Sequence, residues 1–282
     1  MRHSTRFIGC DGAVETTVGV ILVIAIATTA IAAIYAVGMP MLSDARHNVN
    51  IQNAQHYFGI IQSDISDLKG PLSGVGPSRR TTINLGGGSI AIMPGAASYV
   101  QVNYDGSDVF GGTGLQVGKI EYTLEDDTII YENGAVISRF SFGNPAITSR
   151  PSNMFIAPAD DDNTIVHLRM IKLSGASSST GGSGTAYIDS RFTGFDDDVI
   201  YSPDETTLRK TVTITITSEY YQAWERFFED ELSNAGLTST QFEITSDAGA
   251  KQVVIEIDGK KPPGTPDIYL SVHETIIESS VS

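Results

Sequence analysis

The chain has 282 residues, 18 basic against 33 acidic side chains and a formal net charge of −15. That length suits one or two domains, and 41% hydrophobic residues suffice for a buried core, which excludes wholesale disorder. The shortage of basic residues leaves no phosphate-binding face and argues against nucleic acid as a partner. The lone Cys10 excludes an intrachain disulfide framework and a cysteine-based zinc cluster.

The first element is a charge-free run, TTVGVILVIAIATTAIAAIYAVGMPMLS, from Thr16 to Ser43. A helix of about 28 residues reaches roughly 42 Å, beyond the roughly 30 Å hydrocarbon core of a bilayer. A buried core helix is the alternative, but few are so apolar on every side. Arg2, His3 and Arg6 precede the run, and Asp44 and Arg46 follow it. The positive-inside bias therefore sets the N-terminus in the cytoplasm and the C-terminal domain outside.

The run is too long for a secretory signal peptide, and its small residues, Gly9 and Gly12, lie in front of it. A short polar leader ending in glycine, then an acidic residue, then a long apolar helix resembles a prepilin (class III) leader. AVETTVGVILVIAIATTAIAAIYAVGMPML, with TIIYENGAVISRF and TVTITITSEYYQAWERFFE further on, resembles archaeal type IV pilin-like surface proteins. The resemblance implies that a prepilin peptidase cuts between Gly12 and Ala13 and leaves the helix on the mature chain. It makes Glu15 the third mature residue, where bacterial pilins carry their glutamate fifth. Glu15 then has two readings. It pairs with the free amine of Ala13 in a neighbouring subunit, or it sits at headgroup level at a helix start. Cys10 precedes the apolar run, unlike a lipobox cysteine.

A helical pattern continues beyond the apolar run. Ile51, Ala54, Phe58, Ile61, Ile65 and Leu68 form a heptad stripe, with Asn48, Asn50, Gln52, Gln55, Gln62, Asp64 and Asp67 opposite. Pro40 should kink or locally melt the helix, and Lys69 with Gly70-Pro71 should end it. The stripe can pack on the chain's own outer domain or on other copies in a filament.

From about Thr81 to Ile277 the period becomes two. TTINL, SIAIM, YVQVNY, KIEYTL, TIIYE, AVISRF, TIVHLRMIKL, TAYI, TVTITIT, QFEI, QVVIEID and IYLSV read as strands, and Asn133-Gly134 signals a type I′ hairpin. Spacings of 8–15 residues favour an antiparallel sandwich or barrel over βαβ units. One helix interrupts them, with Ser218 as N-cap, Gly236 as stop and an apolar face of Tyr220, Tyr221, Trp224, Phe227, Phe228 and Leu232. That face reads as packing on a sheet rather than as a ligand platform. Residues 174–185, SGASSSTGGSGT, read as a flexible loop.

Catalytic motifs are absent: no G-x-S-x-G, HExxH, P-loop or C-x-x-C occurs. His167 and His273 occupy alternate strand positions and read as solvent-facing or hydrogen-bonded. The acidic runs Glu125–Asp127, Asp160–Asp162 and Asp196–Asp198 lack EF-hand spacing and read as solvated loops. No N-x-[ST] sequon occurs.

The sequence therefore predicts an α+β chain: a long N-terminal membrane and stalk α-helix, then an antiparallel β-rich, sandwich-like extracellular domain with one packed helix. Its parts are leader 1–12, helix and stalk 13–69, and β-domain 70–282. The resemblance implies a structural subunit of a cell-surface filament, no enzyme, with no cofactor and no metal. Its partners are membrane lipid before assembly, other copies of itself and a prepilin peptidase. Gly12 and Ala13 mark the cleavage. Glu15, Ala30, Ala33, Ile51, Phe58, Ile61 and Ile65 are the assembly residues. The alternative is a single-pass anchored ectodomain, an adhesin or binding module that never polymerises.

Overall fold

The computed structural model describes residues 11–68, 76–158, 163–201, 211–258 and 268–282, with backbone alone at 11–17 and 196–201. Leader residues 1–10, Lys69, Gly70-Pro71 and the run Asp160–Asp162 lie outside the described residues. Two compact units are present, Met1–Val49 and Asn50–Ser282.

Helix α1 spans Asp11–Asp67. In the first unit it continues through Pro40 without the expected melting. One missing amide removes a single bond of the ladder, and the flanking i→i−4 bonds carry the helix past it.

The second unit starts at Asn50, not Gly70, because the heptad stripe belongs to its core. Ile51, Ala54, Phe58, Ile61, Ile65 and Leu68 are 0–6% exposed. Polar residues beside the stripe tie the helix down. Asn50 Nδ2 donates to the Gly86 carbonyl at 2.8 Å, and Gln62 Nε2 donates to the Gly134 carbonyl at 2.7 Å. Thr81 Oγ1 donates to Asp64 Oδ2 at 2.7 Å, and Gln55 Nε2 to Ser138 Oγ at 3.1 Å.

Among the described residues seventeen strands form three sheets, where a simple sandwich has two. The first sheet orders β1 (Ser78–Asn84), β13 (Thr185–Tyr201), β17 (Ile268–Val281), β11 (Thr164–Ser174) and β10 (Met154–Pro158). The second orders β12 (Ser178–Gly181), β2 (Ser89–Met93), β6 (Lys119–Leu124), β7 (Asp127–Glu132), β8 (Ala135–Arg139) and β9 (Ala146–Ser149). The third orders β15 (Phe242–Asp247), β16 (Gln252–Asp258), β14 (Thr211–Thr217), β3 (Tyr99–Tyr104) and β4 (Ser107–Asp108), with β5 (Leu115–Gln116) also on β3. The antiparallel expectation holds except at β11 and β17, which pair in parallel. Part of the supposed loop 174–185 is strand β12, paired with β2. The supposed loop Asp196–Asp198 lies inside β13, at a bulge that leaves the ladder between Asp196 and Val199.

Two cores result, and the second sheet separates them. Along β7, Ile129 and Tyr131 enter the core beneath α1, while Ile130 enters the other. The long strands β11 and β17 serve both cores by reversing their inward phase. Val166, Leu168 and Met170 face one core, and Ile171 and Leu173 the other. The reversal in β17 falls at Glu274 and Thr275, in register with Met170 and Ile171. Alternation fixes which face is buried, so two adjacent buried residues mark where a strand changes sides.

Helix α2 (Tyr221–Asn234) covers the second core with Ala223, Trp224, Phe227, Phe228 and Leu232. Its N-cap is Tyr220 rather than Ser218, whose hydroxyl instead accepts the Tyr220 amide at 3.0 Å. The stop at Gly236 is as expected. Its φ is +78°, and the Gly236 and Leu237 amides close a Schellman motif on the Ser233 and Leu232 carbonyls.

Candidate functional site

Two features of the molecule stand apart from ordinary core and surface. The first is the apolar part of α1. Large apolar side chains from Val18 to Leu42 are 47–70% exposed, and the most hydropathic stretch has none of its residues buried. The segment is long and apolar enough to cross a membrane. The hydroxyls of Thr28 and Thr29 are satisfied within the helix. Thr28 Oγ1 donates to the Ile24 carbonyl at 2.9 Å, and Thr29 Oγ1 to the Ala25 carbonyl at 2.7 Å. That removes the cost of bare donors in hydrocarbon.

Of the residues assigned to assembly from sequence, Ala30 and Ala33 are exposed on this segment. Gly12, Ala13 and Glu15 lie on the backbone of α1, and their side chains lie outside the described residues. Ile51, Phe58, Ile61 and Ile65 are buried in the chain's own core. Their observed partner is the chain's own β-domain, the first of the two partners weighed for the stripe.

The second feature, absent from the sequence reading, is a cleft of about 380 Å3 where β14 meets α2. Met93, Ala96, Ala97 and Ala250 line its apolar walls, with Lys119, Glu219 and Lys251 among its charged side chains. Beneath it Glu132 is only 1% exposed. Its oxygens accept the Trp224 indole N–H at 2.7 Å and the Ser218 hydroxyl at 3.0 Å. Burial pushes the Glu132 carboxyl up, against the opposing pull of Trp224, Ser218, Ser98 and the Lys119 charge.

Lys119 Nζ pairs with Glu121 at 2.6 Å and with Glu219 at 3.2 Å. Burial alone would lower Lys119, but these carboxylates outweigh it and leave the ammonium raised. Glu219 is lowered, first by its hydrogen bond to Lys119. Tyr220 OH donates to Glu121 at 3.0 Å, and burial followed by that carboxylate holds the phenol up. Glu132 thus ties the end of β7 to the first turn of α2. Its oxygens are engaged by structural donors, so it reads as a tie between elements, not as a free acid or base.

His167 and His273 meet on one face of β11 and β17, with rings 5.3 Å apart, and Phe155 stacks on His167 at 4.9 Å. His273 Nε2 shares a hydrogen bond of 2.8 Å with Ser271 Oγ. Partial burial, then the neighbouring His273 and Arg169, lowers His167. Glu125 takes a left-handed turn conformation, φ +54°, between β6 and β7. Among the described residues no three His, Cys, Asp or Glu side chains are grouped to hold a metal ion.

A family model described as a family of unknown function, DUF7289, matches residues 13–278. The chain belongs to DUF7289. No curated protein and no solved structure matches it. In this DUF7289 chain the exposed apolar helix and the β-rich unit that follows it are the features that bear on function.

Proposed function

We propose that the chain is a type IV pilin-like structural subunit of a cell-surface filament, with no enzymatic role. It is held in the membrane as a precursor and assembled through the apolar segment of α1. The β-rich unit faces the outside, and a sandwich-like packing of its sheets serves as a rigid head. The observation that carries the reading is the apolar surface from Val18 to Leu42, of which the most hydropathic stretch has no buried residue. Lipid covers such a surface in the precursor, and the same segment of other copies covers it in a filament. The prepilin-like leader supports this, as does a family match that begins at residue 13, where the mature chain would begin. Membrane lipid, other copies and a prepilin peptidase are the partners of this reading.

Ala30 and Ala33 supply the test. A lipid anchor needs hydrophobicity alone, whereas close helix packing needs small residues. Ala30→Leu with Ala33→Leu should insert at least as well as the wild type. In a filament core the added bulk costs about 1–3 kcal/mol per site, repeated in every subunit. The ratio of chain in sheared filaments to chain in membranes should therefore fall about tenfold or more. An unchanged ratio, or no chain in the filament fraction, would favour the anchored ectodomain.

A further inference from the structure

The second sheet carries an apolar knob at one end and the cleft at the other. The knob is Phe142, 103% exposed, in the connection between β8 and β9, beside Phe140 at 41%. An exposed phenylalanine alone needs no explanation, but this one stands on a braced turn. The Gly143 amide donates to the Phe140 carbonyl at 3.0 Å. Ser141 N and Oγ both donate to Asp127 Oδ1, at 2.9 and 3.2 Å. Arg226 donates to the Pro145 carbonyl. The ring is thus presented to solvent on a turn ordered in advance, which reduces the entropy lost on docking.

The register fixes where knob and cleft lie. The turn is bound to Asp127, the first residue of β7, and the cleft opens at Glu132, the last, with Lys119 paired opposite it. Those ends are about 17 Å apart along the strand. A protruding group at one end and a complementary hollow at the other is the arrangement that joins identical copies head to tail. Such a contact closes into a ring or runs on as a helical filament.

We propose that Phe142 of one copy docks into the cleft between Met93, Ala97 and Ala250 of the next copy, with Lys119 and Lys251 against its ring. The occupant fits in size and chemistry. The cleft holds about 380 Å3, more than one phenyl ring needs, and Met93, Ala96, Ala97 and Ala250 give it an apolar wall beside Lys119, Glu219 and Lys251. Its ammonium groups suit the face of an aromatic ring, and Lys119 already lies 5.4 Å from the Tyr220 ring. One aromatic side chain buries roughly 150–250 Å2, far below the roughly 1,200 Å2 of an independent interface. The contact therefore orients heads that the apolar helices have already gathered, and in that respect it rests on the filament reading above.

The experiment uses the full chain on its own cells. A photoreactive benzoylphenylalanine at position 142 is irradiated, and cross-linked peptides are mapped in sheared filaments and in membranes. The expected product joins residue 142 of one copy to the 93–98 or 250–251 segment of another. Ala97→Trp, which fills the cleft, should reduce that product at least about tenfold, and Phe142→Ala should weaken the order between neighbouring β-rich units without unfolding a chain whose residue 142 is solvent-exposed. Wild-type-level filaments with Phe142→Ala, together with no such cross-link from filaments of the benzoylphenylalanine chain, overturn this contact and leave the filament reading standing. A chain absent from filaments overturns the filament reading. The contact then stands or falls on the same cross-link in membranes.

Discussion

Deleting the second half of α1 should unfold the β-rich unit, whereas deleting the first half should not. Ile51, Phe58, Ile61, Ile65 and Leu68 are 0–6% exposed in the core beneath the helix. Each fully buried large apolar side chain contributes about 1.5–3 kcal/mol, so the five amount to roughly 7–15 kcal/mol as an upper estimate. A domain's whole stability is about 5–15 kcal/mol. A chain beginning at Asp44 keeps the stripe and should be soluble, β-rich by circular dichroism and cooperative on heating. A chain beginning at Gly70 loses the stripe and should be unfolded or aggregated. Within the longer chain, Phe58→Ala empties a site of zero exposure and should cost about 3–5 kcal/mol. For a unit of this size that lowers the melting midpoint by roughly 6–20 °C. A chain from Gly70 that melts within a few degrees of the longer one would show that the stripe is not core.

Three further outcomes are expected. Burial raises the Glu132 carboxyl, so its protonated form favours the fold. The stability it adds is present below the ordinary carboxyl value near 4.3 and is lost as pH rises through the folded value. Urea midpoints of Glu132→Gln should therefore gain on the wild type as pH rises from 4 to 8, and a constant difference would contradict this. Gly134 has φ +85° and its missing Cβ would strike the Asn153 side chain, so Gly134→Ala should cost about 1–3 kcal/mol by the same assay. Glu15→Gln should slow the appearance of chain in filaments while leaving insertion intact. Equal rates would favour the headgroup reading of Glu15.

Much of the local chemistry was legible in the sequence, although the Ser218 cap and the melting at Pro40 were not as expected. The spacing of Ile51 to Leu68 named six residues, and all six are buried. Asn133-Gly134 forms its turn with both φ positive, and Gly236 ends α2. The parallel pairing of β11 with β17 was not legible, because it joins segments about a hundred residues apart and leaves no local mark. The reversal at Met170-Ile171 did leave a mark, two adjacent apolar residues that break the alternation of TIVHLRMIKL. Glu132 had none. At the end of a strand, before a turn, a glutamate reads as solvent-facing. It is buried because α2 covers it and Trp224 and Ser218 supply its donors.

If the chain is processed at its leader and built into a filament through the helix that remains, intact-mass analysis of sheared cell-surface material, with electron microscopy of the same sample, should find filaments whose subunit begins at Ala13. A chain still beginning near Met1 and confined to the membrane fraction would contradict it.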